Sequence, residues 1–190
     1  IIVVNKPSGI LSVPGKAVEH FDSIASRVKS LYPEGGAVHR LDMSTSGVMV
    51  VSKTALATSA LGRQFQDRKT EKFYYAWVWG QVEKLEGTID LPLCVDWENR
   101  PRQQVNFEQG RRAITHYICL KVEADRSLMK LKPITGRSHQ LRVHMMELGH
   151  PILGDHLYAP PEAQAAAPHL YLHAAMLSFN HPLSGERLSF

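Results

Sequence analysis

The sequence predicts an α+β fold on a mostly antiparallel sheet, and three observations carry that expectation. Runs rich in β-branched and aromatic residues read as strands at Ile1 to Val4, Gly47 to Val51, Lys72 to Gly80 and Thr115 to Val122, and further strands are expected around Leu128 to Leu131 and Met176 to Phe179. Only a few helix-like segments interrupt them, without the regular strand and helix alternation of a parallel sheet. The 190 residues, 44% hydrophobic and 21% charged, have the size and composition of one globular domain able to bury its own core.

The elements follow in order. Ile1 to Val4 closes on Asn5-Lys6-Pro7-Ser8-Gly9 and reads as a strand entering a turn. Asp22 precedes Ile24, Ala25, Val28, Leu31 and Tyr32, a helical spacing behind a good N-cap residue, ended by Pro33 and Gly35-Gly36. Gly47 to Val51 reads as a buried strand, and Thr54 caps a helix carrying Leu56, Ala60, Leu61 and Phe65. Leu141 to Leu148 has helical composition and stops at Gly149. Ala163 to Ala167, flanked by proline, reads as a surface loop or short helix.

Several function classes are set aside by composition. Cys94 and Cys119 form no CxxC pair, which excludes a disulfide scaffold and a four-cysteine zinc site and predicts a reducing, cytoplasmic setting. No apolar run approaches the roughly 18 residues of a membrane span. The chain opens on Ile1 without a methionine and reads as a single domain, 1–190, trimmed at both ends. Twenty-two Lys and Arg against 18 Asp and Glu give +4, compatible with a polyanionic partner. Ten histidines raise a metal reading. His169 and His173 have helical spacing without a third ligand, and His139 and His144 would diverge on a helix, so no metal is assigned.

Three polar clusters could carry chemistry. His39-Arg40-Leu41-Asp42-Met43-Ser44-Thr45-Ser46-Gly47 packs a base, a cation, a carboxylate and hydroxyls before a buried strand. It reads either as a site at a sheet rim or as a turn held by Asp42 and Ser44. Arg126 to Met146 holds five Lys or Arg and no acid, with Thr135-Gly136-Arg137-Ser138 at a strand-to-helix junction suited to an anion. Arg137 beside Asp42 would keep that carboxylate ionised, as a nucleophile requires. Asn99 to Gln104, with Arg111 and Arg112, is either a solvated loop or a phosphate-contacting one. Tyr74, Trp77 and Trp79 could stack on bases, although the two tryptophans read better as core.

Taken in order, these motifs resemble the RluA family of pseudouridine synthases along nearly the whole chain. The resemblance rests on Lys6-Pro7-Ser8-Gly9, on His39 to Asp42 followed by Thr45-Ser46-Gly47, and on Lys72 to Gly80. Lys132 to His144 and Gly149 to Asp155 continue it. It implies the pseudouridine synthase catalytic fold without an S4-like domain, and isomerisation of particular uridines in RNA without metal or organic cofactor. It further implies Asp42 as nucleophile, Arg137 as its partner and Tyr74 stacking on the uracil. Leu141 would form an apolar pocket wall, and Arg40 would enter the space left by the extruded base. Arg100, Arg102 and Gln103 fall in the RNA-contacting loop. The wording of 96–103 is closest to the branch acting on a 23S rRNA stem-loop and tRNA anticodon loops. A monomer needing no protein partner is expected. The alternatives are a non-catalytic RNA-binding module and an N-glycoside hydrolase using the same aspartate.

Overall fold

A computed structural model describes residues 1–15 and 17–190. The chain forms two compact units, one of Ile1–Lys72 with Ala174–Phe190, the other of Phe73–His173. In the first, β1 (Ile2–Lys6) pairs antiparallel with β3 (Ser46–Ser52), and β2 (Gly36–Ala37) also pairs with β3. On its other side β3 neighbours β10 (Leu172–Asn180), which carries β11 (Arg187–Ser189) antiparallel. In the second unit β4 (Glu71–Trp79), β9 (Arg126–Pro133), β8 (Ile114–Val122) and β5 (Glu86–Asp90) lie in that order, each pair antiparallel. A separate antiparallel hairpin joins β6 (Leu93–Val95) to β7 (Gln103–Val105). The mostly antiparallel α+β architecture expected from the sequence is the one observed.

The helices show what local sequence decides. Helix α1 (Ile24–Leu31) is capped by Ser23 rather than Asp22, because Ser23 and Ser26 satisfy each other's amides as a capping box. Asp22 instead forms a bidentate pair with Arg27 at 2.7 Å. Thr54 caps α2 (Ala55–Gln66) as expected, but Leu56 faces solvent and Ala57 and Leu61 face inward. Helix α3 (Gln140–Glu147) ends near Gly149, whose φ of +87° is open to glycine. The alanine-rich stretch forms α4 (Pro161–Ala165) and is not all surface: Ala163 and Ala167 are buried. They pack with Leu153 and Ala159 against Trp77 and Trp79, so the two tryptophans, expected as core, are half-buried at the edge of an apolar cluster.

Two apolar clusters set the positions of the loops. In the first unit Val50, Leu61, Leu177 and Phe179 are buried between α2 and the strands. In the second, Ala76, Val78, Met129 and Leu131 of the sheet meet Leu141 and Met145 of α3. Gly47 begins the buried part of β3 with φ of +118°, and a β-carbon there would overlap the backbone of Ala174 on β10. Gly47→Ala should therefore cost about 2 kcal/mol or more through strain and steric overlap. A fall in the urea midpoint checks this, and an unchanged midpoint contradicts it.

Candidate functional site

Asp42 lies half-buried in the loop between β2 and β3, with its neighbour Leu41 in the core and Arg40 exposed. The loop's backbone is tied down almost residue by residue. Ser12 Oγ donates to the Leu41 carbonyl at 2.7 Å and accepts from the Leu41 amide at 2.9 Å. The Asp42 carbonyl accepts from Thr45 N–H at 3.1 Å. Ser8 Oγ donates to the Ser44 carbonyl at 2.8 Å, and Gly9 N–H donates to that of Met43, also at 2.8 Å. These bonds come from the Lys6 to Ser12 segment, so the loop is held from outside as well as by its own turn.

Lys6 is the centre of that segment. It is 0% exposed, and its Nζ donates to the carbonyls of Ile10 at 2.7 Å and of Pro7 and Met43 at 3.0 Å. Three donors meet three acceptors, so the ammonium is fully used. Burial pulls its pKa down to about 8, while the Asp42 charge opposes that shift. Lys6 therefore remains largely protonated at neutral pH, with Asp42 the nearby carboxylate that favours its charge.

His39 does not serve as a free base. Its Nε2 accepts the Val50 amide at 3.0 Å, so the ring is neutral and carries its proton on Nδ1. It stacks on Phe65 with centroids 4.4 Å apart. Burial, and secondarily the Lys72 charge, push its pKa down to about 3. His39 thus fastens the start of the loop to β3. The other motif histidines are also engaged: His144 donates from Nε2 to the Leu91 carbonyl at 3.1 Å, and His150 from Nδ1 to that of Trp79 at 2.9 Å.

In the Phe73–His173 unit the structure brings Tyr74 and Leu141 into one apolar cluster, Tyr74 from β4 and Leu141 from α3. Arg137 sits in the turn between β9 and α3, built around the buried Gln140 side chain. Gln140 Oε1 accepts from Thr135 Oγ1 at 2.7 Å and from the Arg137 amide at 3.1 Å. Gln140 Nε2 donates to the Ile114 carbonyl at 2.9 Å. The Arg137 amide is thus consumed within the turn. Arg137 Nε donates to the Arg112 carbonyl at 3.1 Å, which fixes the direction of the guanidinium.

Arg100, Arg102 and Gln103 stand together at the β6–β7 connection. Arg100 is exposed, with its guanidinium 4.8 Å above the exposed Trp97 ring. Arg102 lies half-buried, 5.4 Å over Tyr158. Gln103 gives its amide N–H to the Tyr158 hydroxyl at 2.8 Å and its side-chain Nε2 to the Arg102 carbonyl at 3.3 Å. Lys6, Ser12, Gln140 and Tyr158 are the residues that composition did not single out. The available signal was the place of Lys6 in Lys6-Pro7-Ser8-Gly9 and of Gln140 within Lys132 to His144, which marks the segments but not the burial of these two side chains.

Residues 1–147 match the family described as RNA pseudouridylate synthase. The chain is 56% identical over 191 residues to the dual-specificity RNA pseudouridine synthase RluA of Escherichia coli K12, covering 100% of this chain and 87% of that protein. The protein of the same description from Vibrio cholerae is 58% identical over 184 residues, covering 97% and 75%. Among solved structures, human RNA pseudouridylate synthase domain containing 1 superposes with a TM-score of 0.81 at 28% identity, covering 99% of this chain and 77% of that one. Human RNA pseudouridylate synthase domain containing 4 gives 0.77 at 27% identity, covering 98% and 82%.

The His39 geometry has a pH signature. The folded ring resists protonation down to about pH 3, whereas the unfolded ring takes up a proton below about 6.5. Stability is therefore lost as pH falls from about 6.5 toward 3, at up to about 1.4 kcal/mol per pH unit from this residue. His39→Gln, whose amide oxygen accepts from Val50 without titrating, should show a shallower slope in urea titrations across that range. Parallel slopes for the two proteins contradict the assignment.

Proposed function

From the premise that this chain belongs to the RNA pseudouridylate synthase family and is an RNA pseudouridine synthase, we propose that Asp42 is its nucleophile and that it acts on both rRNA and tRNA. The observation that carries the first part is the loop itself. Lys6, Ser8, Gly9 and Ser12 restrain the backbone on both sides of Asp42, the pre-organisation that a positioned nucleophile needs. The second part is supported by the full-length similarity to dual-specificity relatives.

The reaction breaks the bond from uracil N1 to C1′, turns the base, and joins C5 to C1′. The C5 hydrogen leaves as a proton and N1 becomes protonated, so atoms balance without an external reagent. A carboxylate cannot reach C1′ of a stacked nucleotide, so the uridine is extruded, most cheaply from a loop. Arg40, exposed beside the nucleophile loop, fills the space the base leaves. Tyr74 stacks on the uracil and assists removal of the C5 proton, and Leu141 forms the apolar wall next to it. Arg137 supplies the positive charge that keeps a carboxylate nucleophile ionised. Arg100, Arg102 and Gln103 contact the RNA outside the pocket. No helix among the described residues is long and apolar enough to cross a membrane, and the reading extends to a cytoplasmic monomer.

The test is release of tritium from C5-labelled uridine in transcribed tRNA and 23S rRNA fragments. Asp42→Asn should abolish release while RNA affinity stays within about tenfold, or 1.4 kcal/mol. Tyr74→Phe should keep stacking and slow release by about 10² to 10⁴, the usual range for a general acid or base. Wild-type release by Asp42→Asn overturns the nucleophile assignment. Free uracil as the product would indicate an N-glycoside hydrolase, and binding without release by the wild-type protein an RNA-binding module.

A further inference from the structure

Tyr158 is buried where three segments of the Phe73–His173 unit meet. Its hydroxyl oxygen accepts the Gln103 amide at 2.8 Å and lies 2.6 Å from His139 Nδ1. The hydroxyl thus joins the Gln103 amide to the His139 imidazole, and either ring tautomer can complete the second bond. The ring itself is held by other means. Arg142 lies 5.0 Å over it and is locked to Asp155 by two bonds of 2.6 and 2.8 Å. Asp155 Oδ1 also accepts the Leu157 and Tyr158 amides at 3.0 and 3.3 Å. Removing the hydroxyl therefore leaves the ring's own supports in place while it cuts the link.

His139 is an unusual place to anchor. Its φ is +53°, in the left-handed region, and a residue with a β-carbon stays there only when its surroundings hold it. It stands two residues after Arg137 and one before Gln140, the residue that caps the Arg137 amide. Fixing His139 thus fixes the turn that aims the arginine. At the other end, Gln103 closes the loop that carries Arg100 and Arg102, and Arg102 rests on the same phenol ring.

We propose that Tyr158 is a positioning residue whose hydroxyl keeps the RNA-contacting loop and the Arg137 turn in one register. The proposal rests on the synthase reading above. It makes two groups that sequence places 34 residues apart, Gln103 and Arg137, respond as one body when RNA engages the loop.

The experiment compares wild type with Tyr158→Phe, His139→Ala, His139→Asn and the double variant Tyr158→Phe with His139→Ala. Single-turnover pseudouridine formation on a transcribed tRNA anticodon stem-loop is measured at saturating enzyme, with RNA affinity and melting temperature alongside. Asparagine tolerates the left-handed region and offers Oδ1 about where Nδ1 stands. Tyr158→Phe and His139→Ala should each slow the step by at least about tenfold with little change in melting, while His139→Asn stays within about threefold of wild type. The double variant should be no slower than the slower single one. A wild-type rate for Tyr158→Phe, multiplicative losses in the double variant, or an equal loss in His139→Asn and His139→Ala each overturn the proposal. Amide spectra give a readout that does not pass through catalysis. Tyr158→Phe should move the Gln103 resonance together with those of 137–139, and stationary resonances at 137–139 overturn the link. If wild type forms no pseudouridine, the synthase reading fails, and the amide shifts still decide whether the link exists.

Discussion

A buried ammonium group organises the first of the two units. Removing a lysine from water is costly, and the downward shift of the Lys6 pKa to about 8 records that cost. Three main-chain carbonyls, those of Pro7, Ile10 and Met43, and the nearby Asp42 charge offset it. Because one of those carbonyls, that of Met43, lies 37 residues from Lys6 along the chain, the same group that needs them also joins two distant stretches. The turn after β1 and the loop after β2 then form one rigid body, and Ser8, Gly9 and Ser12 add bonds that a mobile turn could not hold. The β1–β3 register, with Lys6 opposite Gly47, starts this arrangement.

The second unit reaches rigidity by a different route. No buried lysine is involved there. A glutamine side chain with both its oxygen and its nitrogen occupied builds the turn ahead of α3. A buried arginine and aspartate fix the adjacent Tyr158 segment, each partner supplying the charge that would be prohibitive to bury alone. Short polar connections thus hold the residues assigned above to the proposed site, while apolar clusters lie against those connections.

Much of this is legible in the sequence, and what is not has physical reasons. The long strands β3, β4 and β8 stand out through β-branched and aromatic residues because each buries a face, whereas β10 shows only as the short run Met176 to Phe179. Strands β5 and β7 do not: Glu86-Gly87-Thr88-Ile89-Asp90 buries one apolar side chain, and Gln103-Gln104-Val105 buries none. Asp22 looked like a cap because carboxylates favour helix starts, yet Ser23 is one residue closer and reciprocates with Ser26. The motifs located Asp42, Arg137 and Tyr74 on their elements. They could not show that His39 is a structural acceptor or that Arg137's amide is internally satisfied, since both depend on how the folded loop and turn aim the side chains of His39 and Gln140.

The central claim is that the Lys6 ammonium holds the Asp42 loop in its working shape. Amide hydrogen exchange at Leu41 and Thr45 in Lys6→Met, measured at pH 7 beside single-turnover pseudouridine formation, tests it most directly. Methionine keeps much of the volume and removes the donors. The account predicts faster exchange at both amides and a rate reduced by about 10²-fold or more, the effect of a misplaced reacting group, with RNA still bound. Native exchange together with a native rate in Lys6→Met would contradict it.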